Sequence, residues 1–363
     1  MSNIIEHGNQ IAFHPGYYIK ELVEESGLTQ EDFSKRLDTT PKNLSKIING
    51  EQGLSRDMAM KLARMLGTSI DYWLNLQKQF DAKIAEFESE DELDIEREVF
   101  KLIDYKYFKE YFDLPDLPRK TDEQIKHVRE FLNISTLKVL EDRDLAVSYR
   151  SYSATPSLSN IVNSNVMVQI SINKTLEIDA PKYNKKKFEE AVDYAVTLTK
   201  EHKTFVNTIK EKFLDAGVVF VILPNLQNSG INGATKKVGD KMMLMVNDRR
   251  AYSDTFWFTL LHECSHIING DYGLTFENEK DHEDAADKYA QDKLIDSVRY
   301  SEFVDAGIYS EGMIRRFAAS IDRDPGIVFG RLQKEGYISY SSPMSKTMRR
   351  RYKVVVSSRD ENY

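Results

Sequence analysis

Residues 261–267 read LHECSHI, and this stretch predicts both a helix and a metal site. The side chains of residues i and i+4 lie on one face of an α-helix, so His262 and His266 can converge on one metal ion. Glu263 lies about 100° further round the helix, where its carboxylate can take a proton from a water at the metal. Cys264 projects elsewhere and is a poor ligand. A chance HExxH spacing or a structural histidine pair is the alternative interpretation.

The flanking residues predict where this helix begins and ends. Ser253 or Asp254 can cap its first turn, and Gly270 can end it because glycine readily adopts the left-handed conformation found after helices. The residues at 256–258 and 260–261 are apolar, which fits a packed helix.

A second helical stretch downstream offers a third metal ligand. Residues 283–295 read EDAADKYAQDKLI, which places Glu283 and Asp287 at positions i and i+4. Zinc sites that perform chemistry usually have three protein ligands and keep one position for water. We expect Glu283 to reach the metal and Asp287 to hydrogen-bond a ligand imidazole. His282 and Glu279 are competing ligands, and a solvated acidic face is the alternative without a metal.

The two stretches together resemble the ImmA/IrrE family of zinc metallopeptidases. HECSH is followed here by the pattern E-x-x-A-D-x-Y-A, which begins at Glu283. Ala285 replaces a second glutamate of the family's usual pattern, so Glu283 is the matching position for the third ligand. Residues 319–340, with their PGIV and GRLQ strings, also resemble the family, and the similarity spans about 180–340.

The resemblance implies a Zn²⁺-dependent, gluzincin-like metalloendopeptidase with a zincin-like fold. His262, His266 and Glu283 would hold the metal, Glu263 would act as general base, and Asp287 would support a ligand imidazole. The family commonly holds its substrate extended against a sheet edge, for which residues 241–247 are the matching strand. An ordinary edge strand is the alternative for those residues. The residue that stabilises the oxyanion is not singled out.

Residues 14–79 have the helix punctuation of a compact helical domain. Thr29, Thr40 and Ser55 can each cap a helix, and Pro41 suits the first helical position. Gly27, Gly50 and Gly67 can end helices, and Ser69 can open a fifth one. The predicted core consists of Phe33, Leu37, Leu44, Ile47, Leu54, Leu62, Leu66 and Trp73.

Two short helices joined by a tight turn form the helix-turn-helix pattern. Residues 28–50, LTQEDFSKRLDTTPKNLSKIING, resemble the Xre/HigA class of DNA-binding domains. The resemblance implies contacts with operator DNA, because Lys can donate to guanine and Asn can read adenine. Four side chains would face the major groove, Thr40, Lys42, Asn43 and Lys46, and Gln30 would contact a phosphate.

The charge of this domain does not by itself indicate DNA binding. Nine Lys/Arg and nine Asp/Glu occur between His14 and Lys78, whereas strong DNA binders are usually basic. We therefore expect a homodimer that binds paired half-sites with its basic groups gathered on one face. A helical interaction module without a DNA role is the alternative.

Composition limits the remaining possibilities. A chain of 363 residues with 41% hydrophobic residues can build two or three domains. A net charge of -8 confines any DNA contact to a local patch. The single cysteine excludes an intramolecular disulfide and fits a reducing cytoplasm. No signal-like segment and no long apolar run occur, so we expect a cytoplasmic protein without a membrane partner.

Between the two motif-bearing regions the sequence predicts mainly helices. Residues 81–112 form a charged stretch that we interpret as a linker helix, and a further helix runs from Asp122 to Leu132. Residues 148–159 are predicted as a loop, and 184–216 as one long helix. Strands are predicted at 218–223 and 242–246. The basic tail has three open interpretations: disorder, contact with DNA, or contact with the acidic helix.

We therefore predict a mostly helical α+β protein. Its parts are a five-helix DNA-binding domain (1–80), a charged helical linker (81–120), a zincin-like peptidase domain with a small sheet and the HExxH helix (121–345), and a basic, polar tail (346–363).

The predicted function is that of a transcriptional regulator that controls its own operon or a linked repressor by zinc-dependent proteolysis. The alternative is a HigA-like antitoxin that represses its operon and binds a toxin. In that case the peptidase-like domain is a sensor or docking surface.

Overall fold

A computed structural model of the chain describes residues 3–142, 157–271 and 279–354, without the side chains of 279–281. The protein is mostly helical with a small sheet, and it divides into two compact units, residues 1–95 and 96–363. Among the described residues, no helix is both long enough and apolar enough to cross a membrane.

The first unit contains a β-hairpin followed by five helices. Strand β1 (Ile4–His7) pairs antiparallel with β2 (Gln10–Phe13), a hairpin that the sequence analysis missed because each strand has only four residues. The helices are α1 (Pro15–Glu25), α2 (Gln30–Arg36), α3 (Pro41–Ile48), α4 (Arg56–Leu66) and α5 (Ile70–Phe100), of which α5 belongs to this unit as far as Ile95.

Side-chain caps fix the start of four of these helices, as predicted. The hydroxyl oxygens of Thr29, Thr40, Ser55 and Ser69 accept hydrogen bonds from backbone N–H groups three residues on, at 3.1, 3.1, 3.2 and 3.1 Å. Each such cap stabilises its helix by about 1 kcal/mol. Gly67 ends α4 in the left-handed conformation, at φ 70°. The predicted core residues are buried, except that Leu66 is half-buried against them.

Helix α5 is longer than predicted. It continues for 31 residues to Phe100, because neither glycine nor proline interrupts the chain between Ser69 and Phe100. The charged stretch from residue 81 is therefore part of the fifth helix and not a separate one. The helical run also ends earlier than the predicted residue 112, because Asp104 caps a new helix, α6 (Tyr105–Phe112).

The second unit packs helices around a three-stranded sheet. After α6 come α7 (Thr121–Leu132), a short 3₁₀ helix (Leu137–Glu141), α8 (Leu158–Glu177), α9 (Lys185–Thr197), α10 (Phe205–Asp215), β3 (Val218–Leu223), β4 (Gly233–Val238), β5 (Lys241–Asn247), α11 (Ser253–Asn269), α12 (Glu279–Leu294), α13 (Ser297–Asp305), α14 (Glu311–Ser320), α15 (Pro325–Lys334) and α16 (Ser345–Met348). Most of the predicted loop at 148–159 lies outside the described residues, and Ser157 caps α8.

The order of the strands corrects the predicted substrate edge. The sheet has the order β3-β5-β4, with β5 parallel to β3 and antiparallel to β4. Residues 241–247 therefore form the central strand and not an edge. Their continuous apolar run, MMLMV at 242–246, is typical of a strand covered on both faces. Within the described sheet the edge nearest the HExxH motif is β4, which the sequence analysis did not predict.

The predicted helix at 184–216 is two helices. The chain leaves the helical path between Thr197 and Phe205. In this break the Glu201 carboxylate accepts a hydrogen bond from the backbone N–H of Lys203 at 3.0 Å. Such local bonding between a side chain and the backbone competes with the helical ladder.

Helix α11 carries the HExxH motif and is almost completely buried. Gly270 ends it at φ 81°, as predicted. Tyr252 occupies the N-cap position and its side chain makes no capping hydrogen bond, so neither Ser253 nor Asp254 is the N-cap residue. The carboxylate of Asp254 instead binds the guanidinium of Arg349 at 2.9 and 2.7 Å.

Residues 349–354, the C-terminal strap, pack against the beginning of α11. The N–H of Ser253 donates to the carbonyl of Arg350 at 3.0 Å, and the N–H of Tyr352 donates to the carbonyl of Ala251 at 3.1 Å. This part of the predicted basic tail is therefore an ordered wall of the second unit. The rest of the tail, 355–363, lies outside the described residues.

Candidate functional site

Three potential metal ligands converge between α11 and α12. His262 and His266 are buried, and their Nε2 atoms lie 3.1 Å apart. From α12, Glu283 places Oε2 3.3 Å from Nε2 of His262 and Oε1 3.4 Å from Nε2 of His266. The helical spacing of four residues aligns the imidazoles, and close packing of α12 brings the carboxylate to them.

The geometry of this group fits a zinc ion. A tetrahedral ion with bonds of about 2.0–2.1 Å holds its ligand atoms about 3.3 Å apart. The two imidazole nitrogens lie close to that distance from each other, and each lies close to that distance from one of the two Glu283 carboxylate oxygens. Oε2 of Glu283 is buried and has no well-aligned hydrogen bond within the described part of the chain. Because an unsatisfied buried carboxylate oxygen is costly, this group could hold a divalent cation.

Asp287 supports one of the two imidazoles. Its Oδ1 lies 2.9 Å from Nδ1 of His262, which leaves Nε2 directed at Glu283 and His266. A carboxylate at this position fixes the orientation of a ligand histidine and makes it more basic. The ammonium of Lys334, from α15, lies 3.5 Å from Oδ2 of Asp287 and 4.4 Å from the centre of the Phe258 ring.

Of the two competing ligands, His282 has a partner away from the group. Nδ1 of His282 lies 3.1 Å from a carboxylate oxygen of Asp271, so that imidazole has a different partner. Cys264 is fully buried, and burial raises the pKa of its thiol well above the usual value. The side chain of Glu279 is outside the described residues.

Glu263 is buried beside the group and faces the first residue of strand β4. A Cβ atom at Gly233 would lie only 2.6 Å from the Glu263 carboxylate, so the close contact requires glycine there. A small cavity of about 10 Å³ separates Glu263 and His262 from Asn232, Gly233 and Thr259. That volume is close to the space one water molecule needs. A buried carboxylate next to a water-sized space can act as a general base.

Opposing effects set the protonation of the group. Burial lowers the pKa of His262, but its contacts with Asp287 and Glu283 and the charge of Glu263 outweigh burial and raise that pKa to about 9. Burial raises the pKa of Glu283, but the two imidazoles outweigh it and lower that pKa to about 2. At neutral pH the group therefore holds a proton that a metal ion must displace.

We expect zinc affinity to rise with pH up to about 9, the raised pKa of His262. Below that pKa, binding releases the proton, so affinity changes by up to about tenfold per pH unit. Competition with a zinc chelator from pH 6 to 9 measures the slope. Asp287→Asn removes one cause of the raised pKa and should flatten the slope above pH 7. A wild-type affinity that is constant above pH 7 would contradict the assignment.

Helix α3 of the first unit presents a polar outer face. Lys42 and Lys46 are exposed on it and form no ion pair with any described residue. Ser45 and Asn49, which sequence reasoning missed, lie on the same side at helical spacing and are hydrogen-bonded to each other at 3.3 Å. The apolar side of α3 carries Leu44, Ile47 and Ile48, which are buried in the unit's core.

The other predicted DNA contacts already have local partners. The hydroxyl of Thr40 caps α3. The half-buried Asn43 donates from its side-chain amide to Oγ1 of Thr39 at 3.0 Å. The Gln30 side chain donates weakly to the carbonyl of Pro41 at 3.5 Å. Of the five predicted residues, Lys42 and Lys46 are therefore the freest to reach a ligand.

The comparisons with known proteins concern this first unit. A helix-turn-helix family model matches residues 19–73, which runs from α1 into α5. The Escherichia coli HTH-type transcriptional regulator YddM is 32% identical over 72 residues, which are 20% of this chain and 77% of that protein. The N-terminal domain belongs to the helix-turn-helix family of DNA-binding regulators.

Other relatives match the helix-turn-helix domain to a similar extent. Virulence-associated protein I of Dichelobacter nodosus is 33% identical over 76 residues, which are 21% of this chain and 70% of that protein. A HigA-family addiction module antidote protein from Coxiella burnetii, known as a solved structure, is 30% identical and covers 23% of this chain and 90% of its own, with a TM-score of 0.21.

Proposed function

We propose that the chain is a cytoplasmic transcriptional regulator in which a helix-turn-helix domain is joined to a zinc-dependent metalloendopeptidase. The observation that carries the peptidase part is the convergence of His262, His266 and Glu283 with the buried Glu263 carboxylate beside them. A purely structural metal site has no need of an additional carboxylate next to its ligands.

The chemistry of the proposed site follows from its residues. His262, His266 and Glu283 would hold the zinc, which supplies Lewis acidity and lowers the pKa of a water toward about 7. Glu263 would take the proton from that water and return it to the leaving amine. Asp287 would keep His262 in the tautomer whose Nε2 is free to bind.

The outer edge of β4 is the proposed position for the substrate backbone. No described strand pairs with that edge, and its first residue, Gly233, contacts Glu263. An extended peptide that adds to this edge through main-chain hydrogen bonds would bring a carbonyl close to the proposed base. The proposed substrate strand is therefore β4 and not residues 241–247.

The proposed substrate is a repressor-like protein, which includes a neighbouring copy of this chain. The region we expect to be cut runs from Asp81 to Lys120. Because α5 and α6 are continuous helices, the exposed, non-helical residues 113–120 with their two prolines are the most accessible part of it.

Cleavage should depend on Glu263. Wild type and Glu263→Gln are incubated with zinc and operator DNA, and intact mass is followed over time. Glutamine keeps the shape but removes the base, so we expect cleavage to fall by about 10²–10⁴-fold with zinc and DNA binding unchanged. Equal fragments from both proteins would point to a contaminating protease. No fragments from either protein would favour the HigA-like antitoxin function, in which a toxin is the partner.

Operator binding should depend on the outer face of α3. We expect a homodimer on a palindromic operator upstream of its own gene, with half-sites about one helical turn apart. Lys42→Ala and Asn43→Ala should each weaken specific binding by about 1–3 kcal/mol, whereas exposed Lys78→Ala on α5 serves as the control. Gel shifts measure the effect. Weak binding by wild type regardless of sequence would contradict the repressor function.

A further inference from the structure

A large cavity in the second unit has many basic side chains in its lining. It has a volume of about 580 Å³ and is bounded by α10, the end of β5, the beginning of α11 and the C-terminal strap. Six basic side chains line it: Lys174, Lys203, Lys210, Arg250, Arg351 and Lys353. On a chain whose net charge is -8, this basic cavity is a local concentration of positive charge.

Two lysines of the basic cavity, Lys203 and Lys353, have no carboxylate partner within the described part of the chain. Among the described residues that line it, Asp248 is the one carboxylate, and both of its oxygens accept backbone hydrogen bonds, from Asn225 at 2.8 Å and Val354 at 2.9 Å. The field inside the cavity therefore favours an anion.

The basic cavity continues toward the candidate metal centre. Thr259 and Asn232 line both this cavity and the small cavity at Glu263. Thr259 lies one helical turn before Glu263 on α11, and Asn232 immediately precedes strand β4. The side-chain oxygen of Asn232 is buried without a hydrogen-bond partner among the described residues, so this shared wall offers an unsatisfied polar group to a ligand.

Aromatic rings form the apolar part of the lining. Phe205 and Tyr352 are stacked with their centres 5.5 Å apart, and Phe256 packs edge-on against both. The rings can pack against an aliphatic part of a ligand, and the nearby basic side chains can bind its anionic ends. Glutamate and aspartate side chains on a peptide have this character.

We propose that the basic cavity binds acidic side chains of the peptide substrate next to the bond to be cut. This inference rests on the proposed peptidase function and adds its substrate class. A peptide along β4 that passes Glu263 would carry its neighbouring side chains over the shared wall into the cavity. Carboxylates there would form charge-assisted hydrogen bonds with the lysine and arginine side chains. A peptide, unlike a small free anion, reaches both the cavity and the base.

Binding of a defined acidic peptide tests the proposal. The probe is a labelled peptide with the sequence of residues 84–98, IAEFESEDELDIERE, and its control carries Gln and Asn in place of Glu and Asp. Both are titrated by fluorescence anisotropy against the zinc-loaded full chain with Glu263→Gln, which lacks the proposed base and should cleave them far more slowly than wild type. Lys203→Glu and Lys353→Glu are introduced into this background, and exposed Lys182→Glu is the matched charge control.

We expect the acidic peptide to bind and each cavity reversal to weaken its binding by roughly tenfold, while Lys182→Glu has little effect and the neutral peptide binds weakly. Zinc content and thermal midpoint should be unchanged in all variants. Equal binding of both peptides, or reversals without effect, would overturn the proposal.

A nucleic-acid ligand is the competing outcome. Oligothymidylate is therefore added as a competitor. If it displaces the peptide, binds more tightly than the peptide does, and its binding is weakened by Lys203→Glu and Lys353→Glu, the cavity is a nucleic-acid site and the peptide assignment is wrong. Failure of the proposed peptidase function can be distinguished from failure of this binding proposal. If the chain is not a peptidase, the protein that retains Glu263 leaves the acidic peptide uncleaved, while the charge-dependent binding of that peptide persists.

Discussion

Removal of one imidazole from the metal centre should lower zinc affinity by more than about a hundredfold. His262→Ala leaves two of the three protein ligands, and a catalytic site depends on all three. Asp287→Asn removes only the support of one imidazole and should cost about 10–100-fold. Competition titration with a zinc chelator measures both losses.

The matched control for this prediction is His282→Ala. That imidazole lies on the same helix as Glu283 but contacts Asp271, so its removal should leave zinc affinity unchanged. If His282→Ala weakens zinc binding as much as His262→Ala does, the third ligand has been misassigned. If neither substitution has an effect, the group is a structural histidine pair.

Loss of the Arg349 side chain should destabilise the second unit by about 3–5 kcal/mol. Its guanidinium forms a two-pronged ion pair with Asp254, and the exposed fractions of the two side chains are only 12% and 10%. In Arg349→Met the apolar stem remains, but the Asp254 carboxylate is left buried without its counter-charge. The strap would also lose its anchor on α11. Chemical denaturation, monitored by a signal from the second unit, measures the loss in its free energy of unfolding.

The effect of Arg349→Met should depend on pH in a defined direction. Burial raises the pKa of Asp254 even in the presence of Arg349, and removal of the guanidinium should raise it further. The unfolded chain releases the proton near pH 4, so the folded variant is favoured as pH falls toward that value. We expect the stability deficit to be smaller at pH 5 than at pH 7.5. A deficit below about 1 kcal/mol at pH 7.5 would show that the ion pair contributes little.

Features set by residues a few positions apart were predictable from the sequence. The caps at Thr29, Thr40 and Ser55 depend on one side chain and a backbone group three residues on. The convergence of His262 with His266 depends on the pitch of one helix. Glu283 and Asp287 followed from the same spacing on the next helix, once close packing of the two helices was assumed.

Features set by distant residues were not predictable in the same way. Strand β5 was expected at a sheet edge because no local signal shows that β4, rich in lysine, would pair beside it. The break between α9 and α10 is a local feature that was also missed, because the hydrogen bond from the Lys203 N–H to the Glu201 side chain is not visible in the periodicity of the sequence. The basic cavity gathers residues between 174 and 353, so only the folded chain shows that their charges act together.

The most direct test of the proposed zinc-peptidase function is X-ray absorption spectroscopy at the zinc edge. The extended fine structure is measured on the full-length protein loaded with one equivalent of zinc. We expect scattering from two imidazoles and from oxygen atoms at about 2.0–2.1 Å, with the imidazole signal reduced in His262→Ala. Cys264 is the chain's one cysteine, and its burial away from the centre predicts no sulfur shell. A sulfur shell at about 2.3 Å, or a spectrum unchanged in His262→Ala, would contradict the assigned metal centre and the peptidase mechanism built on it.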